Sequence, residues 1–265
     1  MEPPLTEDLT PGVIALLGVA ALAAGWIDAV VGGGGLIQLP ALLIGIPSAT
    51  PAQLLATNKV SSIFGTATSS VTYFRRVGAD LRTALPMAGV AYLGAIGGAV
   101  IGLHIPKSAF YPIILVLLVV VGAYTILRPD LGRESIKRFH GHKHVALAMV
   151  TGFVIGVYDG ALGPGTGSFL VFALVGLLGY TFLEASVKAK IANFATNLGA
   201  LTVFAPGGHV LWQVGLVMAV GNIAGGYIGA RTAVARGSGF VRAVFVMIVS
   251  AFIIRIGGSL LGFWS

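Results

Sequence analysis

Long apolar runs, almost unbroken by charge, constrain this chain more than any other feature. Ten follow one another: 13–31, 33–46, 54–74, 84–103, 111–127, 145–163, 167–180, 187–205, 212–230 and 240–262. A helix needs roughly 20 apolar residues to cross a bilayer, and most of these runs approach that length. Charged residues are only 9 % of the 265, against about 25 % in an ordinary soluble domain. So few charges cannot coat a globule of this size, which excludes a soluble enzyme. The chain has no cysteine, which excludes a disulfide scaffold and a zinc–thiolate site. The expected fold class is an all-α polytopic membrane protein with the lipid bilayer as its surroundings.

Two runs are too short. Segments 33–46 and 167–180 reach only about 20 Å at 1.5 Å per residue, against roughly 30 Å of hydrocarbon. Each follows a glycine-rich break, Gly32–Gly33–Gly34–Gly35 and Gly163–Pro164–Gly165–Thr166–Gly167. Glycine costs a helix about 1 kcal/mol relative to alanine, and Pro164 has no N–H to give. Irregular backbone at membrane depth survives only inside protein or beside a water-filled cavity. The short helices should therefore start below the membrane surface, with free N–H groups and a positive dipole end. Two such ends approaching from opposite faces would make an anion site near the midplane. Its donors would be the backbones of Gly33, Gly34, Gly35, Gly165, Thr166 and Gly167. The alternative is that these glycines only permit close helix packing. A nucleotide loop is excluded, because no Gly-Lys-Ser/Thr follows and no βαβ unit surrounds the glycines.

The two halves match at one constant offset, the separation between Asp28 and Asp159. Gly25 and Asp28 correspond to Gly156 and Asp159, Gly32 and Gly34 to Gly163 and Gly165, Lys59 to Lys190, and Gly94 and Gly98 to Gly225 and Gly229. Five segments per half would start the second half on the opposite side, giving two inverted-topology repeats as in many secondary transporters. The matched charges carry most weight, since ionisable groups inside a membrane are costly and functional by default. Lys59 and Lys190 either neutralise an anion or reach out to an interface. Asn58 precedes Lys59. Asn193 and Asn197, spaced i and i+4, share one helix face and could offer amides to an oxyanion. Asp28 and Asp159 either carry a coupling proton or cap N–H groups of the unwound turns. Gln38 and Asn222 suit interhelical hydrogen bonds. Gly94, Gly98, Gly102, Gly221, Gly225 and Gly229 suit tight helix crossings within the monomer or in a homodimer.

Lys and Arg cluster in three places: Arg75, Arg76 and Arg82; Arg128, Arg133, Lys137, Arg138 and Lys143; and Arg231, Arg236 and Arg242. The positive-inside rule makes all three cytoplasmic and both termini external. This assigns the basic excess to loops and calls for no nucleic acid. The division is then 1–12, a short polar N-terminus; 13–127, the first transmembrane repeat; 128–144, a basic cytoplasmic linker; and 145–262, the second repeat. His140, His142 and His144 read as part of the solvated linker. No metal or cofactor is called for.

Three stretches resemble one known family. They are Gly32–Gly33–Gly34–Gly35–Leu36–Ile37 with Pro40 downstream, Ala56–Thr57–Asn58–Lys59, and Gly163–Pro164–Gly165–Thr166–Gly167–Ser168. Together they look like the sulfite exporter TauE/SafE family, over about residues 12–262. The resemblance implies movement of sulfur-containing anions such as sulfite, organosulfonates or sulfoacetate. The expectation is a secondary active transporter of the inner cell membrane. It would work by alternating access, driven by a gradient and coupled to protons. An anion channel of the same architecture is the alternative. A membrane-embedded enzyme lacks paired histidines or an acidic cluster, and a non-transporting subunit would bind no ligand.

Overall fold

In the computed structural model, residues 9–78, 80–104 and 137–260 are described. The expected segment 111–127 and most of the basic linker lie outside them. Among the described residues the chain is helical, with α1 (Pro11–Val31), α2 (Gly35–Gly45), α3 (Pro51–Val77), α4 (Leu81–Gly102), α5 (Gly141–Ala161), α6 (Thr166–Ala173), α7 (Phe182–Phe204) and α8 (Trp212–Leu260). One π-helical turn, Leu174–Leu178, extends α6. The helix α8 merges the last two expected segments across a kink at Gly237, where φ is 74°. Among the described residues four helical stretches are long and apolar enough to cross a membrane: Pro11–Val31, Leu81–Gly102, Gly141–Ala161 and Trp212–Val244. Large apolar side chains such as Val19, Ile44, Val154, Val220 and Met247 stand exposed on the outside of the bundle, as a lipid-facing surface requires. The chain is an all-α polytopic membrane protein.

Local chemistry sets the helix ends. Thr10 caps α1 and Pro11 opens it, a position where a missing N–H costs nothing. The same helix stops at Gly32, whose φ of 86° returns its N–H to the carbonyls of Asp28 and Ile27. Gly163 has a φ of 89° just after α5. Capping boxes start both α3, through Thr50 and Gln53, and α7, through Thr181 and Glu184. Each of these second-half features follows its first-half equivalent at the offset that separates Asp28 from Asp159.

The packing recurs at the same spacing. Gly94 and Gly98 of α4 lie against the Phe153 and Val157 carbonyls of α5, so closely that a Cβ would collide with backbone. Gly225 and Gly229 of α8 do the same against Leu22 and Trp26 of α1. The expected glycine crossings thus form inside the monomer.

The described parts of the basic loops share one end of the bundle. There Arg138 donates its backbone N–H to the Leu178 carbonyl at 3.2 Å, and the Leu183 N–H reaches Ser238 Oγ at 3.2 Å. At the other end the Leu211 N–H meets Thr57 Oγ1 at 3.1 Å. His144 departs from the expectation of a solvated loop. It is buried, with Nε2 2.6 Å from the Tyr180 hydroxyl, because α5 begins at Gly141 and carries it under Tyr180. Lys188, which the sequence reading passed over, is also buried and lies 4.1 Å from the centre of the Tyr180 ring. Burial pushes the Tyr180 hydroxyl up to about 12; the Thr83 hydroxyl opposes this, and Asp80 and Glu184 add to it. Asp80 caps α4 at the same end. Partial burial raises its carboxyl, but the Thr83 hydroxyl at 2.7 Å and the charges of Lys188 and Lys137 outweigh that and hold it below the usual range.

Candidate functional site

The two glycine breaks cross each other. Gly32 lies directly against Gly167, with no room for a Cβ on either. The crossing is held by Ser168, whose N–H donates to the Gly32 carbonyl at 3.1 Å and whose hydroxyl donates to the Val31 carbonyl at 2.8 Å. The start of α6 thus satisfies carbonyls left over at the end of α1. Tyr158 and Tyr73 fasten the surrounding backbone by donating to the Pro164 carbonyl at 2.6 Å and the Ala29 carbonyl at 2.8 Å.

Beside this crossing the four matched charges meet, and they pair across the halves. Lys59 Nζ of α3 lies 2.7 Å from Asp159 Oδ2 of α5, with both side chains 2 % exposed. Lys190 Nζ of α7 lies 2.8 Å from Asp28 Oδ2 of α1. Neither lysine reaches to an interface: both are fully buried. Their charges are neutralised in place, which a low-dielectric interior demands. Asp28 also takes the capping role, its Oδ1 lying 3.4 Å from the Gly34 N–H.

The pairs border a cavity of about 20 Å³, room for a single water molecule and too small for a sulfur oxyanion. Of the residues singled out by sequence, Gly35, Asn58, Lys59, Gly165, Thr166, Gly167, Asn193, Asn197, Asp28 and Asp159 line it. Gly33, Gly34 and Lys190 are not in its wall. Lys190 stands behind Asp28, and Gly34 packs beneath the Asp28 side chain. Asn197 Nδ2 is 3.4 Å from Asn193 Oδ1, so the two amides share a face as their spacing implies.

Ser62 lines the cavity as well and was missed. The offset could have found it, since it is the first-half counterpart of Asn193. Gln38 does not make the interhelical bond expected of it with any described residue: among the described residues neither of its buried amide atoms has a partner. Asn222 does, donating to Ser61 Oγ at 3.1 Å. Asn58 Oδ1, in the cavity wall, is likewise buried with no partner among the described residues. Not all of the expected backbone donors are free. The Thr166 N–H donates to the Gly163 carbonyl at 3.3 Å, and that of Gly34 to Asp28 Oδ1 at 3.4 Å. Among the described residues no group of histidines and carboxylates could hold a metal ion.

Residues 17–256 match the family model for the sulfite exporter TauE/SafE. A probable membrane transporter protein ORF9 from Sinorhizobium sp is 38 % identical, with 94 % of each chain covered. The probable membrane transporter YfcA of Escherichia coli K12 is 32 % identical over 91 % of this chain and 88 % of its own. A probable membrane transporter of Haemophilus influenzae is 34 % identical over 91 % and 92 %. No solved structure matches. These names describe transporters rather than enzymes. With a model match spanning nearly the whole chain and relatives matched end to end, this protein belongs to the sulfite exporter TauE/SafE family of membrane transporters.

Proposed function

We propose that this protein is a secondary active transporter that carries a small sulfur-containing anion, such as sulfite, an organosulfonate or sulfoacetate, across the cytoplasmic membrane by alternating access. The observation that carries this reading is the pair of crossed ion pairs, Lys59–Asp159 and Lys190–Asp28, around a small polar cavity at the crossing of two broken helices. Each links one half of the chain to the other. A rocking of the halves would open one pair or the other and free a lysine for substrate. The architecture is read as two inverted repeats, supported by caps, glycine stops and helix crossings that recur at one offset along the chain. The end bearing Arg138, Lys143 and Arg75 is taken as cytoplasmic by the positive-inside rule.

In this reading Lys59 and Lys190 supply charge, and the amides of Asn58, Asn193 and Asn197 with the Ser62 hydroxyl supply hydrogen bonds. The backbone around Gly33, Gly34, Gly35, Gly165, Thr166 and Gly167 supplies the close approach. Because both lysines are neutralised when no anion is bound, an anion competes with a carboxylate, and a proton on Asp28 or Asp159 removes the competitor. That couples substrate to protons without any change in site charge. The test is counterflow in proteoliposomes loaded with sulfite, sulfoacetate or methanesulfonate. A carrier shows saturating uptake and transient accumulation of label against unlabelled internal anion. Saturation without counterflow for every anion refutes the carrier and leaves a channel. Absence of any flux or binding refutes the anion site.

A further inference from the structure

Asp28 and Asp159 occupy corresponding positions, yet their partners differ in kind. Asp28 meets Lys190 Nζ at 2.8 Å and the Gly34 N–H at 3.4 Å, and both of these only donate. Asp159 Oδ2 meets Lys59 Nζ at 2.7 Å, but its Oδ1 lies 2.5 Å from Thr166 Oγ1, which lies 2.8 Å from the Gly163 carbonyl oxygen. A threonine hydroxyl has one hydrogen and two lone pairs. With Asp159 ionised, that one hydrogen faces two acceptors, and one of the two O···O contacts is left without a proton. A proton on Asp159 Oδ1 fills both: the carboxyl donates to Thr166 Oγ1, and Thr166 donates to Gly163. The counterpart of Thr166 in the first half is Gly35, which has no side chain. The arrangement therefore exists on one side only.

We infer that Asp159, and not Asp28, carries the coupling proton, and that it takes up one proton when a singly charged anion binds to Lys59; this rests on the anion-site reading above. Before binding, the site holds Lys59 and Lys190 as cations and Asp28 and Asp159 as anions. Afterwards Lys59 faces the substrate anion, Asp159 is a neutral acid hydrogen-bonded to Thr166, and the Lys190–Asp28 pair is unchanged. The net charge is zero in both states. The groups around Asp159 suit this role. Lys59 comes from α3, and Lys190 and Asp28 bring a neutral pair from α7 and α1. Tyr158, its neighbour on α5, gives its hydroxyl to Pro164. The helix α4 packs on α5 through Ala95 and Ala99.

The experiment measures methanesulfonate affinity of the full-length purified protein by thermal stabilisation, between about pH 5.5 and 7.5, where this anion keeps its single charge. In the wild type the affinity should fall about tenfold per pH unit, the signature of one linked proton. Asp28→Asn changes the affinity but keeps the slope. Asp159→Asn binds with no slope, because Lys59 is already free of its carboxylate. Where Asp159→Asn does not fold, the threonine decides: Thr166→Val weakens binding about tenfold at the acid end and Thr166→Ser restores it. A slope that persists in Asp159→Asn, or vanishes in Asp28→Asn, overturns the inference. So does an unchanged acid-end affinity in Thr166→Val. A wild type that binds without any slope overturns it too, while sparing the anion site. Failure of every variant and the wild type to bind refutes both readings.

Discussion

Removing Lys59 from its buried pair should produce a large and pH-dependent loss of stability. In Lys59→Met the Asp159 carboxylate keeps its 2 % exposure and loses its counter-charge. Breaking one partner of a buried pair costs about 3–5 kcal/mol. A second route gives the same figure. Asp159 can escape the penalty by binding a proton, and at pH 7 a carboxyl with a reference value near 3.9 needs about 4 kcal/mol to do so. The folded variant then holds a proton that the unfolded chain releases, so its stability rises as pH falls, by about 1.4 kcal/mol per unit. The double variant Lys59→Met/Asp159→Asn has no buried charge at this place. It should return to within about 1–2 kcal/mol of the wild type and lose the slope. Equilibrium unfolding in mixed micelles, repeated at several pH values, measures all three. A loss below about 1 kcal/mol for Lys59→Met, flat with pH, would show that the pair does not form in the folded protein.

Three further outcomes are expected. Gly32→Ala should not fold, since its φ is 86° and its Cβ would enter the Gly167 backbone; Gly165→Ala, whose Cβ makes ordinary contacts with the Phe169 ring at 3.6 Å and Leu36 Cδ1 at 3.7 Å, should fold with a loss of about 1–2 kcal/mol from its positive φ, and normal yield of Gly32→Ala would refute the crossing. His142→Cys, exposed near the start of α5, should react with an impermeant thiol reagent in inside-out vesicles and not in intact cells; the reverse pattern would invert the topology. Asp80 holds its carboxyl below the usual range through Thr83 and the nearby lysines, so its stabilisation is present above that range and lost as pH falls through its own lowered value; Asp80→Asn should unfold with a weaker acid dependence than the wild type, and identical acid limbs would contradict the cap.

The reason glycine matters differs between the two breaks. Gly165 has a φ of 80°, which a β-branched residue resists, but Gly34 is in ordinary right-handed helical geometry. At Gly34 the constraint is space: a Cβ would come within 2.7 Å of the Asp28 side chain and 2.8 Å of the Ala24 carbonyl. A run of glycines reveals that the helix is interrupted, because each one is a local penalty. Which glycine turns the chain, and which makes room for a neighbour, depends on what packs there.

Properties that follow from local free energy were legible in the residues alone. Apolar runs of spanning length, helix breaks, and the cost of four charges at membrane depth all depend on the chain and the bilayer, and they fix the fold class. The constant offset between the halves also picked out Asp28, Lys59, Asp159 and Lys190 together. It could not say which lysine takes which carboxylate, because pairing within a half and pairing across halves obey the same offset. Only the tertiary structure decided for the crossed arrangement, in which α3 meets α5 and α7 meets α1. The same holds for Ser62 in the cavity wall, for Gln38 buried without a partner among the described residues, and for His144 under Tyr180. A sequence states what each side chain can donate, accept or bury; which group answers it is set by helices brought together from distant parts of the chain.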